Sequence, residues 1–222
     1  MRFLIREQEF ERSVASGEFA YQRNQQSASI RELWRATAPA EGYRFLRVDL
    51  DGRAGLSGNS YLFHATLTAV GKLERLKLRV FGPQLRLEGD LLPQDGSLTA
   101  VFEINDRPWE TELELPANCP VWFPSATGLG LLAKAVGHEG SYCTVALNQQ
   151  EQFKPELRHV DVRLAESEEV QVGRHHLLAR PYSISWSDQQ RHVWLDDYGW
   201  PVRAERGDGL VAEETQYIRH TV

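Results

Sequence analysis

His159 and Asp161 have the residue types and the spacing that acid–base chemistry uses. They are two positions apart, so on an extended strand both side chains point to the same face. A carboxylate beside an imidazole can orient the ring for base catalysis, or the two groups can supply two metal ligands. A third group must come from elsewhere in the fold, and a polar pair on the surface is the alternative interpretation.

A second group of carboxylates, Asp196, Asp197 and Glu205, lies near Gly199. Two carboxylates on either side of a bond are the machinery of glycoside hydrolysis. Aspartates beside a glycine are also common turn residues, because their side chains accept hydrogen bonds from the backbone that follows. These residues therefore predict either a hydrolytic or sugar-processing enzyme or a polar turn.

Two further motifs have stronger structural than chemical interpretations. Gly128 and Gly130, followed by Ala133, match a shortened dinucleotide fingerprint, but a proline-bracketed loop precedes them where the fingerprint needs a strand. We expect these glycines to allow close packing against a sheet. His175 and His176 are adjacent and point to opposite faces of a strand, so they cannot ligate one metal ion. No catalytic residue, metal or cofactor is predicted from these motifs.

The chain has two cysteines, Cys119 and Cys143, in different local contexts. Two thiols are too few for a metal cage or a disulfide framework. Isolated cysteines usually behave as small apolar side chains. We therefore expect two buried free thiols.

Aromatic residues are the most informative set: six Trp, seven Tyr and nine Phe. Such rings fill a core or line a pocket. If a curved sheet is too wide for its own side chains to fill, the pocket is an apolar cavity. Four cations on neighbouring strands, Arg75, Lys77, Arg79 and Arg86, could then bind an anionic head group, although a solvated basic stripe is the commoner outcome. The predicted ligand-binding residues are Trp34, Trp109, Trp122, Trp186, Trp194, Arg75, Lys77 and Arg79.

These side chains are carried by segments with a two-residue rhythm, which is typical of β-strands. The clearest example has Leu76, Leu78 and Val80 on one side and charged residues between them. Turn signals recur about every ten residues, as in antiparallel meanders and barrels. Parallel crossovers need helices between strands, and the sequence has almost no room for them. Strands are predicted near 19–21, 30–34, 46–50, 61–67, 73–81, 85–88, 98–104, 108–115, 143–147, 157–164, 177–186, 191–195, 200–205 and 210–218.

One segment, residues 125–136, departs from this rhythm and predicts a helix. Ser125 can cap its start, Gly137 can supply a left-handed residue at its end, and Lys134 suits the last turn. Apolar residues surround much of the helix, so we expect it to be buried against a sheet face. We place a soft boundary near 118–140 between two sheet halves of one domain, residues 1–222.

Composition limits the partners of this chain. It has 222 residues, 41% of them hydrophobic, which is enough for a sizeable core, and a formal net charge of −6. The negative charge argues against nucleic-acid binding, which needs a surplus of Lys and Arg on one face. No stretch reaches the roughly 18 apolar residues of a membrane span, and no signal-peptide-like segment follows Met1. We expect a soluble, cytoplasmic protein, with oligomer formation left open.

The stretch from His192 to Arg203, preceded by Tyr182 to Trp186, resembles the closing hairpins of uncharacterised bacterial β-rich families. In these families a tryptophan–aspartate strand turns at a glycine and returns toward a basic residue, and some of them are similar to lipoprotein-carrier half-barrels. The resemblance implies a curved antiparallel sheet with an apolar hollow. No catalytic residue is implied by it.

The predicted fold is all-β: a large curved antiparallel sheet, as a half-barrel or two packed barrel-like halves, with one short buried helix. The leading hypothesis is a non-enzymatic protein that binds an apolar small molecule, such as a lipid or acyl chain, in a cavity of the sheet. The alternatives are the hydrolytic or sugar-processing enzyme described above and an assembly module that pairs through an exposed sheet edge.

Overall fold

Extended backbone accounts for most of the computed structural model, which describes residues 2–39 and 42–220. Turn residues separate the strands in the way that right-twisted hairpins require. Asn24 and Gln25, with positive φ angles of 51° and 65°, join the first two strands. The first eight strands are β1 (Arg12–Arg23), β2 (Gln26–Ala38), β3 (Arg44–Asp51), β4 (Ser60–Leu67), β5 (Leu73–Phe81), β6 (Arg86–Gln94), β7 (Ser97–Ile104) and β8 (Arg107–Glu114).

The rest of the chain adds eight strands, one α-helix and a short 3₁₀ turn at Gln149–Glu151. These elements are β9 (Val121–Trp122), α1 (Ala126–Val136), β10 (Gly140–Asn148), β11 (Lys154–Leu164), β12 (Glu168–Val172), β13 (His175–Trp186), β14 (Gln189–Leu195), β15 (Pro201–Arg206) and β16 (Leu210–Arg219). The all-β prediction with one short helix is confirmed. No helix of the described residues is long and apolar enough to cross a bilayer.

Backbone hydrogen bonds connect the strands in the order β8-β7-β6-β5-β4-β3-β2-β1-β16-β15-β14-β13-β11-β10-β9, and β12 pairs with β13. The ladders from β2 to β8 are antiparallel, as predicted. One pairing corrects the prediction of a purely antiparallel sheet. The β9–β10 pair is parallel, and α1 is the crossover that a parallel pair requires.

Contacts divide the chain into two compact units. Unit 1 comprises the described parts of residues 1–17, 30–118 and 218–222. Unit 2 comprises residues 18–29 and 119–217. The assignment of one domain with an internal division near 118–140 stays a prediction.

The core of unit 1 is one face of the β2–β8 meander. Leu76, Leu78 and Val80 have no exposed surface, while the charged residues between them point to the opposite face. Consecutive registers across seven strands define a row of residues on the buried face. The row is Trp34, Val48, Phe63, Leu78, Gly89, Phe102 and Trp109.

Gly89 explains how this row packs. A Cβ atom at this position would lie 2.3 Å from Cδ1 of Phe102 and 2.4 Å from the carbonyl oxygen of Val101. The Phe102 ring therefore occupies the space above Gly89, and it stacks on Trp109 with ring centroids 5.3 Å apart. A strand glycine here permits close approach of an aromatic ring.

Helix α1 begins and ends as the sequence predicts. The Ser125 side chain accepts a hydrogen bond from the Gly128 amide, and Gly137 is left-handed with φ of 65°. The helix packs on β14 and β15, where a Cβ on Gly130 would lie 2.7 Å from Cγ of Pro201. The Gly128–Gly130 motif is thus explained by close packing of the helix.

Strand β12, which the sequence analysis did not predict, completes a second apolar cluster in unit 2. Its Val170 and Val172 pack with Ala179, Trp194 and Val202. All five residues are buried.

Candidate functional site

The candidate site lies at the end of β13 in unit 2, where arginines gather around Trp186. We call the group formed by Trp122, Arg158, Trp186, Arg191 and Arg206 the Trp186 cluster. The residues come from β9, β11, β13, β14 and β15. Strands β11, β13, β14 and β15 are consecutive neighbours in the sheet, and the turn from Trp186 to Gln189 sets the register of β13 and β14.

Trp186 lies between two guanidinium groups. The Cζ atoms of Arg158 and Arg191 are each 5.2 Å from the ring centroid, which is within the range of a cation–π interaction. Trp122 contacts the same ring edge-on, with centroids 5.6 Å apart. Both tryptophans are buried, so the arginines form the more accessible part of the cluster.

Arg191 has an unusual charge environment. It is half-buried and makes no ion pair with any residue in the described ranges; its donors reach the Gln190 carbonyl at 2.9 Å and Gln189 Oε1 at 3.4 Å. Burial, together with the charge of Arg206 directly opposite on β15, lowers the pKa of Arg191 to about 10, and the opposing charge of Asp208 only partly offsets this. Its charge is therefore poorly compensated by the protein.

The carboxylates near the cluster are shared among its arginines. Arg158 is paired with Glu156, and Asp208 is paired with both Arg206 and Arg23, each at 2.9 Å. Burial also lowers the pKa of Arg158. Three guanidinium groups thus use two carboxylates, and Arg191 is left without an ion pair among the described residues, in a chain whose formal net charge is −6.

Such an arrangement suits an anion. A guanidinium offers a planar set of donors that matches a carboxylate or phosphate, and a partly buried one binds such a group more strongly than an exposed one. The cluster also contains the indole Nε1 of Trp122, a buried donor with no hydrogen-bond partner in the described part of the chain. An acceptor oxygen of a ligand would satisfy it.

The predicted basic stripe on β5 lies in unit 1 and is paired with acidic residues of β6. Arg75 Nε is 2.7 Å from Asp90, and Arg79 Nη2 is 2.6 Å from Glu88. Lys77 lies between these carboxylates, 3.7 Å from Glu88 and 4.0 Å from Asp90. The structure therefore supplies each of these three cations with a carboxylate of its own sheet.

The stripe and the unit 1 tryptophans lie on opposite faces. Trp34 and Trp109 belong to the buried row described above, whereas Arg79 pairs with Leu62 on the other side of the sheet. Trp34 is 1% exposed, and Arg219 lies 4.9 Å from its ring centroid. Strand alternation therefore places these two sets of predicted ligand-binding residues on opposite faces of the unit 1 sheet, and their role in binding stays a prediction.

Trp194, the remaining predicted residue, is in unit 2 and outside the Trp186 cluster. Its Nε1 donates a hydrogen bond to Glu168, and Arg203 lies 5.1 Å from its ring centroid. It belongs to the β12 apolar cluster.

The predicted acid–base residues have structural partners. Asp196 is buried and its Oδ1 accepts hydrogen bonds from the amides of Tyr198 and Trp200, at 3.0 and 2.8 Å. Glu205 is paired with Arg203. These contacts fit the turn interpretation.

The exposed residues among these candidates lie on β11 and in the turn after β14. Asp197, His159 and Asp161 are exposed, and Asp161 accepts a hydrogen bond from Ser141. No group of three or more His, Cys, Asp or Glu residues within the described ranges is arranged to hold a metal ion.

Unit 1 contains a buried polar cluster that the sequence analysis did not detect. Arg47 donates to both carboxylate oxygens of Glu11, each at 2.8 Å, and to the Thr37 hydroxyl at 2.9 Å. The side chains of Arg47 and Glu11 are only 3% and 1% exposed. His64 lies directly opposite Arg47 on β4. Arg47 and His64 alternate with Val48 and Phe63 of the buried row, so strand periodicity places them on the opposite face and gives no sign that they are buried.

Comparisons with known proteins place few limits on function. No family model matches the chain, and no curated protein matches it. Among solved structures, the crystal structure of a DUF1089 family protein from Pseudomonas aeruginosa is similar over 91% of this chain and 92% of that one, with 11% sequence identity and a TM-score of 0.43. We draw no functional argument from a likeness at this level.

Proposed function

We propose that this protein is a non-enzymatic binding protein whose ligand is an amphipathic anion, with a carboxylate or phosphate group bound at the Trp186 cluster. The single observation that carries the proposal is Arg191. This guanidinium is half-buried beside other arginines and makes no ion pair in the described chain; Asp208, the carboxylate that acts on it, is already paired with Arg206 and Arg23. An anionic group would supply an ion-pair partner.

The energetic argument is one of compensation. A charge held partly out of water is costly unless an opposite charge or hydrogen bonds compensate it. Arg191 has only two amide-type acceptors and faces Arg206. Charge-assisted hydrogen bonds to a bound carboxylate or phosphate would therefore be stronger here than at a free surface arginine.

The apolar part of the ligand rests on the hypothesis drawn from the aromatic residues. Trp122 and Trp186 form a rigid base under the arginines, which favours a flat or apolar group next to the anionic one. The closing hairpins resemble uncharacterised bacterial β-rich families, some of which are similar to lipoprotein-carrier half-barrels, and this favours an acyl chain as that group. A lipid or fatty acid has both features.

The proposal is tested by titrating the purified protein with dodecyl phosphate below its micelle concentration, using calorimetry and tryptophan fluorescence. We expect saturable binding, with weaker binding of inorganic phosphate and of dodecyl maltoside, which keeps the chain but lacks the charge. The Arg191→Gln variant should bind dodecyl phosphate at least about 10-fold more weakly, since a charge-assisted hydrogen bond contributes about 1.5–3 kcal/mol.

The matched control is Arg163→Gln, an exposed arginine on the opposite face of β11 from Arg158. It removes the same charge from unit 2 and should bind like wild type. Equal affinities of wild type and Arg191→Gln would reject the site. Equal binding of dodecyl phosphate and dodecyl maltoside would reject an anionic ligand.

A further inference from the structure

The two cysteines, far apart in sequence, lie next to each other in unit 2. In the parallel β9–β10 pair, Val145 is opposite Val121 and Ala146 is opposite Trp122. Two residues earlier on both strands, the same register places Cys143 opposite Cys119. The amide of Val145 donates to the carbonyl of Pro120 at 2.8 Å, which holds the chain in this register directly beside Cys119.

The side chains confirm this neighbourhood. Cys143 lies close enough to Cys119 to act on its thiol. Burial, together with the neighbouring Cys143, raises the pKa of Cys119 to about 12. Both residues are free thiols and half-buried rather than fully buried, which corrects the expectation of two buried, separate thiols.

Directly opposed residues on neighbouring strands have Cα atoms about 5 Å apart, inside the range of about 4.4–6.8 Å that disulfides span. Opposed side chains also point to the same face. Closing the bond therefore needs little backbone movement. It would tie the chain before β9 to β10 and enclose α1 in a loop.

We propose that Cys119 and Cys143 are a reversible redox pair. A low-molecular-weight disulfide such as oxidised glutathione oxidises the two thiols to an intramolecular Cys119–Cys143 disulfide. The proposal is independent of the ligand proposed above. The oxidation converts two protein thiols and one oxidised glutathione molecule into one protein disulfide and two reduced glutathione molecules.

The order of the two steps follows from the environments. Cys143 attacks first, because the raised pKa of Cys119 favours its protonated form; Cys143 gives its proton to solvent, one sulfur of glutathione disulfide joins Cys143, and the other leaves as a thiolate that takes up a proton. Once Cys143 carries glutathione, its negative charge no longer opposes ionisation of Cys119. Cys119 then attacks the Cys143 sulfur and expels the second glutathione.

The test incubates the reduced full-length protein with oxidised glutathione and measures free thiols and intact mass. Wild type should lose both thiols, retain no glutathione, lose the mass of two hydrogen atoms and regain its thiols with dithiothreitol. Cys119→Ser should stop at a stable glutathione adduct on Cys143, because the second attack is absent. Cys143→Ser should react far more slowly than Cys119→Ser.

A second test uses only the wild-type protein and compares the unfolding temperatures of its oxidised and reduced forms. The oxidised wild type should unfold at a temperature about 5–10 °C above the reduced form, because the bond closes a loop of roughly 25 residues. Persistent glutathione adducts on wild type would overturn the proposal. So would two unreacted thiols or covalent dimers on a non-reducing gel.

Discussion

His64 is a buried ionisable residue that the fold keeps neutral. It is 4% exposed, and its Nδ1 has no hydrogen-bond partner among the residues described. Burial, reinforced by the charge of Arg47, lowers the pKa of His64 from 6.5 to about 4. Protonating this ring in the folded state would place a second positive charge beside Arg47 without a partner of its own.

This difference in pKa makes stability depend on pH. Between pH 6.5 and 4 the unfolded chain binds a proton at His64 and the folded chain does not, so the free energy of unfolding rises with pH in this window. The contribution is complete above pH 6.5 and is lost as the pH falls to 4. We expect His64→Leu to remove about 3 kcal/mol of this pH dependence, measured by urea unfolding at pH 4, 5, 6 and 7.

The control for this prediction is His175→Leu, which removes an exposed histidine. Its unfolding free energy should follow the wild-type pH dependence. A comparison of slopes cancels any constant effect of leucine on packing. Curves of wild type and His64→Leu that run parallel between pH 4 and 7 would show that His64 titrates normally in the folded protein.

At the scale of single elements, one residue, Gly130, determines how closely helix α1 packs on β15. Gly130 lies in the helix interior, where alanine is normally better by about 1 kcal/mol. The ring of Pro201 on β15 fills the space a side chain would take, with its three ring carbons within 2.9 Å of the missing Cβ. The proline ring is rigid, so the helix itself must move to admit a methyl group.

We therefore expect Gly130→Ala to destabilise unit 2 by about 1–2 kcal/mol, because overpacking outweighs the gain in helix propensity. Denaturant unfolding followed by fluorescence measures the change. Ala135→Gly, at an exposed position of the same helix, calibrates the propensity effect and should cost about 1 kcal/mol. A gain in stability for Gly130→Ala would mean that α1 can shift freely on the sheet.

The elements that the sequence predicted are those with a local signal. Alternation of leucine and charge identified β5, and Ser125 with Gly137 marked the ends of α1. Strand β9 has two residues, which is too short for any periodicity, and β12 opens on two glutamates that hide its buried valines. Neither strand could be recognised without its partner.

The candidate site was less predictable because it depends on register. Trp122 and Trp186 were both predicted to bind ligand, but Arg158 and Arg191 were not, although they flank Trp186. Nothing local distinguishes these arginines from the others in the chain. Their proximity arises from the pairing of β13 with β11 and β14, which the sequence does not reveal.

At the scale of the whole molecule, the strand order of the described residues has two ends, and each end is an edge strand. The strand order ends at β8 on one side and at the two-residue β9 on the other. No strand in the described part of the chain pairs with the outer side of β8. Unpaired strand edges are templates for another chain, and proteins protect them with charge, proline or short length.

Strand β8 has two of these protections. Every second residue near its end is an exposed glutamate: Glu110, Glu112 and Glu114. Pro108 also removes one backbone hydrogen-bond donor. If two copies of the chain paired through β8, the three glutamates of one copy would lie beside the three glutamates of the other. Repulsion between these like charges opposes such pairing. The edge therefore disfavours self-association, while a partner strand rich in lysine or arginine could still add to it.

Replacing Glu110, Glu112 and Glu114 with threonine should remove this protection. We expect the triple variant to form dimers or larger species at concentrations where wild type does not, because threonine favours strands and brings no charge. Size-exclusion chromatography with light scattering across a range of protein concentrations measures the change. Adding salt should promote association of wild type more than of the variant, since only the wild-type edge is held apart by charge.

The effect of the edge must be separated from the effect of net charge. A control variant replaces Glu74, Glu103 and Glu166 with threonine; these residues are exposed and lie outside β8. It changes the net charge of −6 by the same amount as the edge variant. If both variants associate equally, the acidic balance of the whole molecule keeps copies apart. If only the edge variant associates, the three glutamates of β8 keep copies apart. The β8 edge is then the surface to which a partner strand would add.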